Sequence, residues 1–190
     1  MSPPEQQLVD GFVQALRFVG GRARAVDGAT AAAGVIEERL GAAGGPRAVL
    51  YEQSDLARRL GLPLALRARG IDLVPVREAG GRAAEMTVGL TEARMGVAES
   101  GTLVVGGQNG GWGLAAALPW AHVALLRRED IVPDIAAAFA ALGDLWAVGD
   151  RDWVWITGPS RTADIAKTLV TGVHGPNDLE VLILPGSGRP

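Results

Sequence analysis

The sequence predicts an α/β protein with a largely parallel sheet. Three observations carry this. Short apolar runs recur along the chain and alternate with stretches of helical spacing. Several of those runs, such as Trp153–Ile156 and Leu179–Leu184, are apolar at nearly every position, the pattern of strands covered on both faces. The chain has 190 residues and 48% hydrophobic residues, enough for an ordinary core and too apolar for a disordered chain. No internal repeat or linker divides it, so residues 1–190 are read as one domain.

Taken in order, Leu8, Phe12, Val13, Leu16 and Val19 keep one helical face, and Gly20-Gly21 stop that helix. Residues 1–20 are therefore an N-terminal helix. Asp27 stands where it can cap a second helix carrying Val35, Ile36 and Leu40, broken by Gly44-Gly45-Pro46. Ala48–Tyr51 is a strand, and Ser54 caps a short helix with Leu56 and Leu60. Ile71–Val76 is a strand with Pro75 near its end, and Arg77–Arg82 a loop. Glu85–Thr91 reads as a strand, Glu92–Ala98 as a turn or short helix, and Leu103–Val105 as a strand. Gly106–Gly111 is the most flexible piece by composition. Leu114–Leu118 makes a helical turn, and Trp120–Leu126 a strand. Ile131, Ile135, Ala138, Phe139 and Leu142 form a helix ended by Gly143. After the strand Trp153–Ile156 comes the turn Gly158-Pro159-Ser160, with a helix directly behind it. A turn at Gly172–Pro176 and the strand Leu179–Leu184 close the pattern.

Composition excludes several classes. The formal charge is −3 and the basic residues do not cluster, against the basic face that nucleic acid requires. The chain has no cysteine, which removes disulfides and cysteine-bound zinc or iron–sulfur sites. The two histidines and scattered carboxylates show no metal-ligand spacing. No apolar run is long enough to span a membrane, and the first residues do not read as a signal peptide. A cytoplasmic protein is the expectation.

The chemistry-bearing residues gather in three segments. A helix N-terminus behind Gly158 offers unpaired N–H groups to an anion. Ser160 and Thr162 add hydroxyls, and Arg161 a fork for carboxylate or phosphate. The plainer reading is a strand-to-helix turn with Ser160 or Thr162 as the cap. Asp164 lies on one helix face with Lys167 and either pairs with it or holds a ligand hydroxyl. His174, beside Gly175, suits proton transfer near neutral pH or a plain backbone hydrogen bond. Glu99 precedes Gly101 and Thr102, where glycine allows close backbone approach and the carboxylate can accept from a hydroxyl. His122, in an apolar strand, reads as buried and satisfied, and Trp112 as a packing aromatic or a lid. The three segments are expected to converge on one cleft at the carboxyl ends of the strands.

These motifs carry a resemblance. Gly158–Ile165 with Leu169–Pro176, Thr91-Glu92-Ala93 with Ala98–Val105, and Leu118–Ala124 together resemble the LUD-domain family, of the lactate utilization protein C type, in family order. The resemblance implies a Rossmann-like sheet similar to the ribose-5-phosphate isomerase and CoA transferase fold. It implies a subunit of an L-lactate-oxidising system acting with iron–sulfur partner subunits, the clusters lying on the partners and no cofactor in this chain. The site residues read from the three segments themselves are His174 and Glu99 for chemistry. Gly158, Ser160, Arg161, Thr162, Asp164, Gly101, Thr102 and Gly175 would bind a small carboxylate or phosphate. A stand-alone isomerase, transferase or cycloligase, and a non-catalytic scaffold, are the alternatives.

Overall fold

A computed structural model describes residues 3–106, 112–147, 152–163, 169–171 and 175–186. In chain order the elements are α1 (Pro3–Phe18), β1 (Arg22–Ala25), α2 (Ala29–Ala43), β2 (Ala48–Tyr51), α3 (Asp55–Leu60), α4 (Leu62–Arg67), β3 (Asp72–Pro75), α5 (Val76–Ala79), a 3-10 segment at Gly80–Glu85, β4 (Val88–Val97), β5 (Thr102–Gly106), α6 (Trp112–Ala117), β6 (Ala121–Arg127), a 3-10 turn at Arg128–Asp130, β7 (Ile131–Val132), α7 (Ile135–Ala147), β8 (Trp153–Ile156), β9 (Arg161–Ala163), β10 (Leu169–Thr171) and β11 (Asp178–Leu184).

The expected α/β class with a mostly parallel sheet is what the chain adopts. Parallel strands run in the order β3-β2-β4-β6-β11-β1. Every residue of β11 is buried, as continuous apolar patterning requires of a strand covered on both faces. On one face α2 and α4 set Ile36, Leu62 and Leu66 against Leu90, Val123, Leu125 and Leu182. On the other, α1 sets Phe12 and Leu16 against Ala124, Leu126 and Val181. Beside α1 on that face, α6 lies so close that a Cβ on Gly89 of β4 would stand 1.8 Å from the Ala115 carbonyl oxygen.

β4 serves two sheets. Its first half lies between β2 and β6, and its second half pairs antiparallel with β5 and parallel with β7. Residues 92–97 are therefore extended, not the turn or short helix expected there, because a ladder on each side holds them. β8 pairs antiparallel with β5 and is half-exposed, so its apolar run reflects an edge facing α7, where Phe139 stacks on Trp155, and not a covered parallel strand.

Other differences have local causes. Gly28, not Asp27, stands at the start of α2. Ile131 belongs to β7, and α7 continues past Gly143 to Ala147. Arg77–Arg82 is helical in part, through α5 and the 3-10 segment. Ser54 caps α3 as expected, accepting from the Ala57 N–H. β1 escaped the sequence reading because its sequence, Arg-Ala-Arg-Ala, lacks large apolar residues. Alternation still decides it. Ala23 packs toward α1, while Arg22 and Arg24 reach the fully buried carboxylate of Glu180 at 3.1 and 3.0 Å. Arg39 of α2 holds Asp178 at 3.1 Å. An ion ladder thus replaces apolar contacts at this edge.

His122 is buried as expected, but only half satisfied. Its Nε2 lies 2.8 Å from the Thr91 hydroxyl, and its Nδ1 has no partner among the described residues. Burial pushes its pKa from the usual 6.5 down to about 4, so the ring is neutral near pH 7.

Two predictions follow from this packing. Gly89→Ala forces α6 off the sheet and lowers stability by about 2–3 kcal/mol; a urea midpoint unchanged from wild type contradicts that. For His122 the unfolded chain takes up the proton first, so its contribution is whole above about pH 6.5 and is lost as pH falls toward 4. Urea melts from pH 7.5 to 4.5 should show His122→Gln losing less stability than wild type across that window, by up to about 3 kcal/mol. Parallel curves contradict it.

Candidate functional site

The antiparallel pairing of β8 with β5 sets Ile156 opposite Leu103, so the residues just beyond, Thr157 and Thr102, come together at the end of the ladder. Their hydroxyl oxygens are 2.8 Å apart. The Ser100 hydroxyl is 2.7 Å from that of Thr102, making a chain of three hydroxyls with buried Thr102 between exposed Thr157 and half-buried Ser100.

The C-terminal turns of α1 pass directly over this chain. Gly101 has φ +67°, and a Cβ there would lie 2.2 Å from the Leu16 nitrogen. Gly158 has φ +84°, and its Cβ would lie 2.6 Å from the Val19 carbonyl oxygen. Only glycine combines this backbone with this closeness. The Ser160 N–H then donates to the Pro176 carbonyl at 2.9 Å. Gly175 sits so near that a Cβ would be 3.3 Å from the Ser160 hydroxyl oxygen. Gly101, Thr102, Gly158, Ser160 and Gly175 thus belong to one junction.

The structure corrects the sequence reading of this junction in three ways. It lies at the amino ends of the central strands, not the carboxyl ends: Pro176 leads into β11, and the Asn177 N–H donates to the Trp120 carbonyl just before β6. No helix opens directly behind Ser160. Arg161–Ala163 is β9, paired antiparallel with β10, with Thr162 opposite Val170. Among the described residues no positive helix end meets this turn, and the helix end nearby is the C-terminus of α1, whose carbonyls favour a cation. Arg161 supplies one. Its guanidinium packs over Gly20, with Nη2 at 2.1 Å from where a Cβ would stand. Finally, Glu99 turns away. Its carboxylate accepts from the Ile135 N–H at 3.0 Å, and with Asp134, which accepts from the Ala137 N–H at 2.7 Å, it closes the start of α7. Asp164, Lys167, Gly172 and His174 lie outside the described residues.

A second polar group escaped the sequence reading. Glu92 accepts from the Ser54 hydroxyl at 2.7 Å and from the Leu56 N–H at 3.2 Å. It lies midway along β4, where that strand runs past the carboxyl end of β2. Beyond β2 the chain turns to α3 and α4 on one face, while β4 runs on into β5 before α6 packs on the other. Open α/β sheets bind ligands at such a reversal. The signal lies in the Thr91-Glu92-Ala93 motif, but the local spacing predicts a turn or short helix at Glu92–Ala98. Among the described residues no cluster of three or more His, Asp or Glu could hold a metal ion, and no helix is long and apolar enough to cross a membrane.

Comparison with known proteins places this geometry in a family. The family model of the LUD domain matches residues 10–184. Lactate utilization protein C of Bacillus licheniformis is 36% identical over 98 residues, which cover 50% of this chain and 41% of that protein. The protein of the same name from a Geobacillus species is 37% identical over 97 residues, covering 50% and 40%; that of Bacillus subtilis is 35% identical over 98, covering 50% and 41%. These matches span about two fifths of the relatives' own length. The crystal structure of a DUF162 family protein from Deinococcus radiodurans superposes with a TM-score of 0.68 at 20% identity, over 98% of this chain and 99% of that one, a likeness of fold. With a family match running from within α1 to the end of β11, the chain belongs to the LUD domain family.

Proposed function

We propose that this chain serves lactate utilization, binding a small hydroxy acid at the junction of the Thr157–Ser160 and Gly175–Pro176 turns. The observation that carries the reading is the Ser160–Pro176 hydrogen bond, which draws the two turns of the family-like C-terminal motif together beside a chain of hydroxyls. Arg161 is the cation for the carboxylate, offsetting the carbonyls at the end of α1. The hydroxyls suit the substrate's own hydroxyl. His174, one residue before Gly175, is the base for the hydroxyl proton. Glu99 is the weaker choice for chemistry because α7 already engages it.

Oxidation of lactate to pyruvate releases two electrons and two protons. A chain without cysteine holds no cysteine-ligated cluster; the Cα hydrogen and the two electrons pass to a redox group on the iron–sulfur partner subunits, and this chain's part is recognition and removal of the hydroxyl proton. The names of the relatives support the substrate class. The partners are inferred from the family resemblance and from this division of labour.

A second reading rests on Glu92 at the strand reversal. There the chain is a stand-alone small-molecule enzyme of the isomerase or transferase kind, and the Ser160 junction is structural.

Calorimetric titration with L-lactate separates the two. Ser160→Ala should weaken binding by about 0.5–1.5 kcal/mol, the net worth of a hydrogen bond between uncharged groups, with Arg161→Gln at least as costly and Glu92→Gln without effect. Loss of binding in Glu92→Gln alone selects the second reading. Lactate-dependent dye reduction should require co-purified iron–sulfur proteins; turnover by this chain alone contradicts the proposed division.

A further inference from the structure

The outer edge of the parallel sheet opens into a cavity of about 360 Å3 along β3. Its floor is the strand itself. The Asp72 N–H donates to the Arg47 carbonyl, so Asp72 and Val74 turn their backbone groups toward β2, and Leu73 and Pro75 turn theirs outward. Pro75 has no N–H. The open edge therefore presents the N–H and carbonyl of Leu73 and the carbonyl of Pro75, which is what an added strand would use.

The two walls differ in chemistry. On the α4 side, Tyr51 and Leu73 pack toward the α4 core, and Pro63 and Arg67 complete an apolar wall with one cation at its rim. On the other side, Val74 packs with Ala79 and Ala83. Asp72 shares that face by strand alternation, and Glu78 and Arg82 line the cavity there. That wall carries two carboxylates against one guanidinium. Asp72 and Glu78 are exposed, and neither is held in an ion pair among the described residues.

We propose that the open edge of β3 receives one extended peptide segment of a partner protein, with apolar side chains toward α4 and basic side chains toward α5. Alternation along a strand sends successive side chains to opposite walls, so the complementary segment alternates apolar and basic residues. Two features favour a lone segment over the edge of a second copy. The helical segments on both sides stand as walls to the cavity, and a second copy would bring the same walls with it. The charges also suit a basic segment better than β3 itself, whose own outward face toward α5 is acidic. The site is separate from the Ser160 junction and does not depend on the function proposed for it.

The probe is a fluorescein-labelled short peptide alternating valine and lysine, with fluorescence anisotropy as the readout. Saturable binding is expected. N-methylation of alternate peptide amides should weaken it about tenfold, through lost backbone hydrogen bonds. Glu78→Lys should weaken it roughly fivefold by exchanging an exposed attraction for a repulsion. The Leu73 amide should become protected from hydrogen exchange on binding. The proposal is overturned by failure of the peptide to bind, by equal binding of the methylated peptide or of one alternating valine and glutamate, or by concentration-dependent dimers that displace the peptide.

Discussion

The closeness of the last turns of α1 to two other segments governs this molecule. Neither Gly101 nor Gly158 has room for a side chain beneath them. This contact seats α1 on the sheet through Phe12 and Leu16 and fixes where β5 begins and where the chain leaves β8. The register of β8 on β5 then sets Thr157 beside Thr102. The turn at Gly158 delivers Ser160 to Pro176 at the head of β11. A change that pushes α1 outward would loosen the core on that face and the junction together.

Polar groups are placed within the sheet by the same geometry. β6 and β11 are nearly wholly buried, yet carry His122 and Glu180. Glu180 is neutralised by arginines from β1 and α2, which ties the edge strand to the centre where apolar contacts are few. A buried pair of this kind adds little net stability against an apolar replacement, and its loss on one side is costly. Its value here is register, since Arg22 and Arg24 meet Glu180 only when β1 is paired as observed. His122 instead escapes its charge by staying neutral.

Much of this fold was legible in the sequence because its central strands are continuous apolar runs and its long helices keep a clear period. β2, β6, β11, α1 and α2 could be read on that basis. What failed depended on partners far along the chain. Residues 92–97 look like a turn until β5 and β7 pair with them. Arg161–Ala163 looks like the start of a helix until β10 pairs with it. β1 shows no apolar pattern because its inward contacts are ionic. The candidate site was legible as composition, a set of glycines and hydroxyls near turns, but not as electrostatics. The sequence predicts a helix N-terminus where the C-terminus of α1 lies, so an anion there finds Arg161 set against the negative end of α1 and not the positive end of a helix. Glu99 shows the same limit, since its role at α7 depends on a contact 36 residues away.

The most direct test of the account is a crystal structure of the protein grown with L-lactate. The account predicts lactate at the junction, its carboxylate on Arg161 and its hydroxyl within hydrogen-bond reach of Ser160 or Thr157. Lactate bound at Glu92 between β2 and β4, or an empty junction at saturating lactate, would contradict it.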